Sequence, residues 1–144
     1  MLKWNPLHQS LEKTANRHLQ LYSRFDAFAK FVQVQVTHHD FHIKNIGVSL
    51  QLEKNFFTTT FAGRTLYFVF SSTVGDGGLM VGNVKCLVEI SFPEKTYSEI
   101  GEFTFTGNAQ TNLIEPEDND PITIDTDLSS LYVALHFINE SLSK

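Results

Sequence analysis

The feature that most constrains the fold is a change in hydrophobic period near residue 30. Up to that point apolar residues recur at steps of three and four, which is the spacing of one helical face. Beyond it they alternate with polar residues, which is the spacing of a half-buried strand. The positions on the helical face are Leu7, Leu11, Ala15, His18, Tyr22, Phe25, Ala29 and Val32. The pattern predicts a helix followed by a sheet.

Capping residues predict where two helices begin. Asn5 suits the N-cap of the first helix and Pro6 its first position, where the missing N–H costs nothing; we expect this helix to end near Lys30. A second helix is predicted at residues 128–142, where Thr126 or Asp127 can cap it. Its apolar stripe is predicted to be Leu128, Leu131, Tyr132, Leu135, Ile138 and Leu142.

Seven segments between the helices predict strands. They are residues 32–36, 41–52, 57–62, 65–72, 84–92, 100–106 and 109–114. The third and fourth should form a hairpin that turns at Gly63-Arg64, because Gly supplies the positive φ of a short turn. Residues 65–72 carry apolar side chains on both faces, as expected of a central strand. A second tight turn is predicted at Gly107-Asn108.

Short connections between these segments favour antiparallel pairing, because parallel strands need a crossover of a dozen or more residues. We therefore predict an α+β fold with an N-terminal amphipathic helix, a mostly antiparallel curved sheet of about five to seven strands, and a C-terminal helix packing on the sheet. The thirteen phenylalanines suit a sheet-centred core. The length of 144 residues fits a single domain, residues 1–144.

Charge and cysteine content exclude several functions. Residues 96–143 contain nine acidic residues and no Lys or Arg, and the net charge of the chain is −5. A protein that grips duplex nucleic acid needs a basic stripe, so that role is not expected. No apolar run is long enough to cross a bilayer, and the start of the chain lacks a signal-peptide pattern. The single cysteine, Cys86, indicates the reducing cytoplasm.

Residues with metal-binding or catalytic chemistry form no convincing set. On an extended strand His38, Asp40 and His42 would share one face and offer ligands for zinc or iron, although such residues are also ordinary in exposed turns. The glycine-rich residues 74–78 lack the Lys-Ser/Thr of a phosphate-binding loop and predict a hairpin connection. Cys86 lies in phase with apolar neighbours, where a thiol is usually inert. We expect no cofactor and no catalytic group.

An acidic stretch near the C-terminus is the strongest indication of function. Solvation and helix capping explain part of it, but complementary charge also raises association rates and selects partners. We predict that it binds a basic protein, with Tyr97 or Tyr132 as an aromatic anchor. The predicted partner-binding acids are Glu115, Glu117, Asp118, Asp120, Asp125 and Asp127.

A small, acidic, cysteine-poor domain without a catalytic set is similar in general character to bacterial immunity proteins and antitoxin-type inhibitors. That similarity implies a partner such as a nuclease toxin, whose active surface must attract phosphate. Two alternatives remain open. One is a small-ligand-binding or enzymatic domain with an apolar pocket lined by the Phe-rich strands. The other is a structural or assembly subunit of a phage or secretion apparatus.

Overall fold

A computed structural model describes residues 4–38 and 40–143 of the chain. Its first helix, α1, spans Trp4–Thr37 and exceeds both predicted limits. Trp4, which precedes the predicted N-cap Asn5, is already helical. At the other end the predicted strand at residues 32–36 is wrong. Val32 lies one turn after Phe28 and both are fully buried, whereas Val34 is 57% exposed; helical packing therefore decides the conformation of this valine-rich segment.

The first third of α1 lies outside the core. Residues 4–16, which we call the N-terminal arm, are exposed without exception. Trp4, Leu7 and Leu11 present apolar side chains to solvent on this arm, and fully buried side chains begin only at Leu21. The remaining two thirds of α1 pack on the sheet and on the second helix.

Seven strands follow α1, and each pairs antiparallel with the next in chain order. They are β1 (Gly47–Gln51), β2 (Phe56–Phe61), β3 (Arg64–Val74), β4 (Met80–Ile90), β5 (Thr96–Phe105), β6 (Gln110–Ile114) and β7 (Pro121–Thr123). The sheet is a curved, open meander with β1 and β7 at its edges. The second helix, α2 (Asp127–Ser141), packs on it. The predicted α+β fold is confirmed.

The strand limits differ from the prediction at several places. Strands β4 and β5 start at Met80 and Thr96, each four residues earlier than predicted, and two further differences have structural reasons. Residues 41–46 are irregular, and β1 starts only at Gly47. Asn45 adopts a positive φ of 63°, which a strand does not accommodate. Strand β7 was not predicted, because three residues are too few to establish an alternating pattern.

The hairpin between β2 and β3 is confirmed, with its turn one residue earlier than predicted. Ala62 and Gly63 form the turn with φ angles of 53° and 76°. Two positive φ values in succession match the twist of the flanking strands, which is why such turns close short hairpins. Strand β3 lies between β2 and β4, so its predicted interior position is also confirmed.

Phenylalanine rings fill the space between the sheet and the helices. Phe57 and Phe68 stack across β2 and β3 with ring centroids 4.6 Å apart. Phe28 of α1 meets Phe57 edge-on at 5.5 Å, and Phe137 of α2 stacks on Phe103 of β5 at 5.7 Å. Such pairs contribute about 0.5–1.5 kcal/mol beyond the area they bury. They fix the position of both helices on one face of the sheet.

Helix α2 begins and ends one residue before the predicted limits and buries a different face. Thr126 is the N-cap, and its hydroxyl accepts the Ser129 backbone N–H at 3.3 Å. Of the predicted stripe, Leu128 is 69% exposed and Tyr132 47% exposed, although Ile138 is buried. The buried residues are Ser130, Val133, Ala134, Phe137, Ile138 and Ser141.

Small side chains explain this choice of face. Ser130, Ala134 and Ser141 allow the backbone of α2 to approach its neighbours closely. Phe137 lies against Gly101 of β5, where an added Cβ would stand 3.0 Å from the ring. Close packing therefore outweighs the larger apolar content of the opposite side. We call the residues Leu128, Tyr132, Leu135, Asn139 and Leu142 the outer face of α2.

Candidate functional site

Residues 115–120 of the predicted acidic stretch, which runs from Glu115 to Asp127, form the turn of the β6–β7 hairpin. The Glu115 backbone N–H donates to the Asp120 carbonyl at 2.8 Å, and the Asn119 N–H donates to the Glu115 carbonyl at 2.9 Å. Asn119 has a φ of 57°, a conformation that Asn adopts more readily than most residues. These bonds hold the backbone while every side chain from residue 115 to 120 is exposed. We call residues 115–120 the acidic turn.

A cleft of about 550 Å³ opens between the acidic turn, β7 and the first turns of α2. Glu115 and Glu117 supply carboxylates to it, and Leu128 and Tyr132 supply apolar surface from the outer face of α2. We call this the acidic cleft. Its lining residues are Glu115, Pro116, Glu117, Pro121, Ile122, Thr123, Leu128, Ser129 and Tyr132. It can bind a group that is both cationic and partly apolar.

A smaller cavity of about 140 Å³ adjoins the acidic cleft. The two spaces share Pro116, Ile122 and Tyr132, so the Tyr132 side chain stands between them. The apolar wall was not predicted as part of the site. The sequence contained one indication of it, since α2 is apolar around most of its circumference and cannot bury every side.

Cations are absent from the part of the sequence that builds the cleft. Residues 96–143 contain no Lys or Arg, and all nine lining residues belong to this range. The carboxylates of the acidic turn therefore produce a negative potential that no cation of the same segment reduces. A cleft with low-dielectric walls focuses such a potential and attracts positively charged groups.

Asp125 and Asp127 have local structural partners. Asp125 accepts a hydrogen bond from the Thr123 hydroxyl at 2.7 Å. Asp127, in the first turn of α2, accepts from the Leu128 backbone N–H at 2.8 Å and from the Gln35 side chain at 2.9 Å. An acid at this position also complements the positive end of the helix dipole. Neither residue lines the acidic cleft.

Tyr97 belongs to a separate cluster. Its ring meets Tyr67 with centroids 5.2 Å apart, and the Tyr67 hydroxyl donates to Glu89 at 2.9 Å. Burial and the hydrogen bond to Glu89 raise the pKa of Tyr67 to about 12. The hydrogen bond from Tyr67, helped by Ser91 and Lys95, lowers the pKa of Glu89. Of the two predicted aromatic anchors, only Tyr132 lines the acidic cleft.

The histidine-rich segment folds as a turn after α1 and not as an extended strand. The Asp40 backbone N–H donates to His38 Nδ1 at 3.1 Å, and the Asp40 carboxylate lies 3.8 Å from the same nitrogen. His42 is exposed, and His39 lies outside the described residues. Within residues 4–38 and 40–143, no three or more His, Cys, Asp or Glu side chains are grouped so that they could hold a metal ion.

Two further side chains that could take part in chemistry, a thiol and an imidazole, lie between the helices and the sheet. Cys86 is fully buried, and this burial, with a contribution from Glu99, raises the pKa of its thiol far above the usual value. His18 Nδ1 lies 2.6 Å from the Ser72 hydroxyl, and its ring packs beside Phe70 at 5.6 Å. The spacing of residues in the sequence did not indicate the His18–Ser72 contact, which joins α1 to β3.

Comparison with known proteins assigns no family. The chain matches no protein-family model, no curated protein and no solved structure at a significant level. In the part of the chain that the structure describes, no helix has the length and apolar character needed to cross a membrane.

Proposed function

We propose that this chain is a non-enzymatic protein-binding module of the immunity or antitoxin type, which neutralises a basic partner at the acidic cleft. One observation carries the proposal. The cleft combines Glu115 and Glu117 with the exposed Leu128 and Tyr132, in a segment that contains no Lys or Arg.

The two kinds of side chain have different tasks in this proposal. The acidic turn attracts a cationic surface over a distance of about 8–10 Å, the screening length at physiological salt. Tyr132 and Leu128 then exclude water from the contact, and Tyr132 supplies a large side chain with few rotatable bonds. Charge therefore governs the association rate, and apolar contact governs the lifetime of the complex.

The charge of the cleft indicates the class of partner. A nuclease or another protein that binds nucleic acid carries Lys and Arg side chains where it contacts phosphate. A cleft with carboxylates and no cation matches such a surface. An inhibitor that occupies those side chains blocks access of the nucleic acid, so neutralisation needs no catalytic chemistry of its own.

The test uses the product of the gene adjacent to the one that encodes this chain, because inhibitors of toxins are usually encoded beside their targets. The variant carries Glu117→Lys, Asp118→Lys and Asp120→Lys. We expect the association rate, measured by surface plasmon resonance, to fall by about tenfold or more and to lose most of its salt dependence. A Tyr132→Ala variant should instead raise the dissociation rate.

The matched control carries Glu12→Lys, Glu53→Lys and Glu94→Lys, three exposed acids outside the cleft. Both triple variants change the net charge equally, so only the acidic-turn variant, which combines Glu117 of the cleft with the adjacent Asp118 and Asp120, should slow association. If both triple variants slowed association equally, the effect would come from the overall charge of the protein, and the proposed binding site would be wrong. A co-purified small molecule in native mass spectrometry would favour the ligand-binding alternative.

A further inference from the structure

The outer face of α2 has the spacing of a helix-pairing surface. Its five residues follow one another at steps of four, three, four and three, the spacing of a coiled-coil seam. Leu128 is 69% exposed, Tyr132 47% and Leu142 41%. The opposite side of the helix already packs on the core. Leu135, at the centre, is half-buried and packs partly against the core, so the seam is open to solvent mainly on either side of it.

The order of residues along this seam is self-complementary. With two α2 helices antiparallel and Leu135 at the centre, Leu128 of one copy lies opposite Leu142 of the other. Tyr132 then lies opposite Asn139, where its hydroxyl can bond the amide, and Leu135 meets Leu135. Apolar residues meet apolar residues and polar groups meet polar groups along the whole length. A two-fold interface requires this kind of self-matching.

Charge selects the antiparallel arrangement. The acidic turn lies beside the first turns of α2. At the other end of α2, Ile43 and Ile46 line an apolar groove of about 220 Å³ with Leu142, and Lys44 lies exposed between them in the chain. Arg64 is at the same end, since its guanidinium donates to the Ser141 carbonyl at 2.8 Å.

The two ends of α2 act as separate charged patches. A helix of 15 residues is about 22 Å long, more than twice the screening length. Parallel helices would bring two acidic turns together, which is unfavourable. Antiparallel helices bring the acidic turn of each copy towards Lys44 and Arg64 of the other, an attraction that the exposed Glu140 in the last turn of α2 reduces. Both the apolar pattern and the charge pattern of this chain therefore match a second copy of itself.

We propose that the chain forms a two-fold symmetric dimer through the outer face of α2, with the two helices antiparallel about an axis at Leu135. This inference goes beyond the proposed function and does not depend on it. The two share Leu128 and Tyr132, so the dimer interface and the basic partner compete for the same wall of the cleft.

Sedimentation velocity over a wide range of protein concentration tests the dimer. We expect the unmodified chain to dimerise reversibly and Leu135→Glu, which places two carboxylates at the axis, to weaken the dimer by about thirtyfold or more. A control for the added charge is Leu11→Glu at a 61% exposed site on the N-terminal arm, and a thermal melt of Leu135→Glu checks that the half-buried site tolerates the change. A monomer at every concentration, or a dimer lost in Leu11→Glu and kept in Leu135→Glu, overturns the proposal.

Cysteine cross-linking tests the register without disrupting the fold. Under mild oxidation with diamide, Leu135→Cys should form a disulfide-linked dimer efficiently, because residue 135 meets its own copy at the axis. Leu128→Cys should not, because it lies opposite residue 142. Cys86 is buried and does not compete. Efficient cross-linking at both positions would indicate parallel helices and overturn the arrangement. Leu135→Glu leaves the acidic cleft intact, so partner binding by this variant separates the two proposals.

Discussion

Gly82 in β4 lies directly opposite Phe105 in β5, and the Phe105 ring covers its Cα. An added Cβ would overlap the ring, and both residues are buried, so neither has room to move. We expect Gly82→Ala to lower the free energy of unfolding by about 1–3 kcal/mol through overpacking. Chemical denaturation measures this, and the double variant Gly82→Ala/Phe105→Leu should recover part of the loss. An unchanged stability in Gly82→Ala would contradict the packing described here.

The Tyr67–Glu89 hydrogen bond predicts a particular dependence of stability on pH. Because the pKa of Glu89 is lowered by folding, its contribution is present above its ordinary pKa of 4.5 and is lost as the pH falls through the folded value. We expect Tyr67→Phe to cost about 1 kcal/mol at pH 7 and less in acid. Urea denaturation of both proteins, at pH 7 and in acid below the ordinary pKa of Glu89, measures the difference. Tyr22→Phe, which removes a bond to the Leu52 carbonyl, is the control and should cost the same at both.

The same pair has an alkaline consequence. The pKa of Tyr67 is about 12 in the folded protein and 10 in the unfolded chain, so the unfolded chain loses its proton first. Stability should therefore fall as the pH rises above 10, and Tyr67→Phe should lack this component of the loss. If the stability of the two proteins declines in parallel above pH 10, the hydroxyl of Tyr67 does not have this role.

At the scale of elements, the sequence predicted those whose pattern is long or whose turn chemistry is specific. The helix capped by Thr126, the β2–β3 hairpin and the return strand after Gly107-Asn108 belong to this group. The end of α1 was missed because Val32 and Val36 fit both a strand and a helix, and only packing separates the two. The face of α2 was missed because close approach to Gly101 is a property of the assembled fold.

The candidate site divides in the same way. Local composition drew attention to the acidic stretch that contains the acidic turn. The cleft could not be predicted, because it needs β7, which carries no pattern, and the outer face of α2, which pattern reasoning assigned to the core. Tyr132 and Tyr97 were equivalent in sequence, and only the fold separates them, since Tyr97 packs on Tyr67 instead.

At the scale of the whole molecule, the fold determines which acid-rich segments the cations of α1 contact. One cation of α1 reaches the acid-rich part of the sequence: Arg24 donates to the Gly107 carbonyl at 2.9 Å, and the neutral Gln20 amide donates to the same oxygen. The Gly107-Asn108 turn precedes β6, whereas the acidic turn follows this strand. Arg17 donates instead to the Met80 carbonyl at the start of β4. Arg24 therefore contacts the turn before β6, at the opposite end of this strand from the acidic turn.

The exposed N-terminal arm determines what the chain's single tryptophan can report. Trp4 is 66% exposed, and its nearest apolar neighbours along the helix, Leu7 and Leu11, are exposed as well. Its fluorescence should show the emission of a hydrated indole in the native state. The emission should change little when denaturant unfolds the protein, as followed by the loss of the far-UV circular dichroism signal. A marked red shift on unfolding would contradict this. Any molecule that covers the arm should shift the emission to the blue, so Trp4 is an intrinsic sensor for binding at that end of the protein.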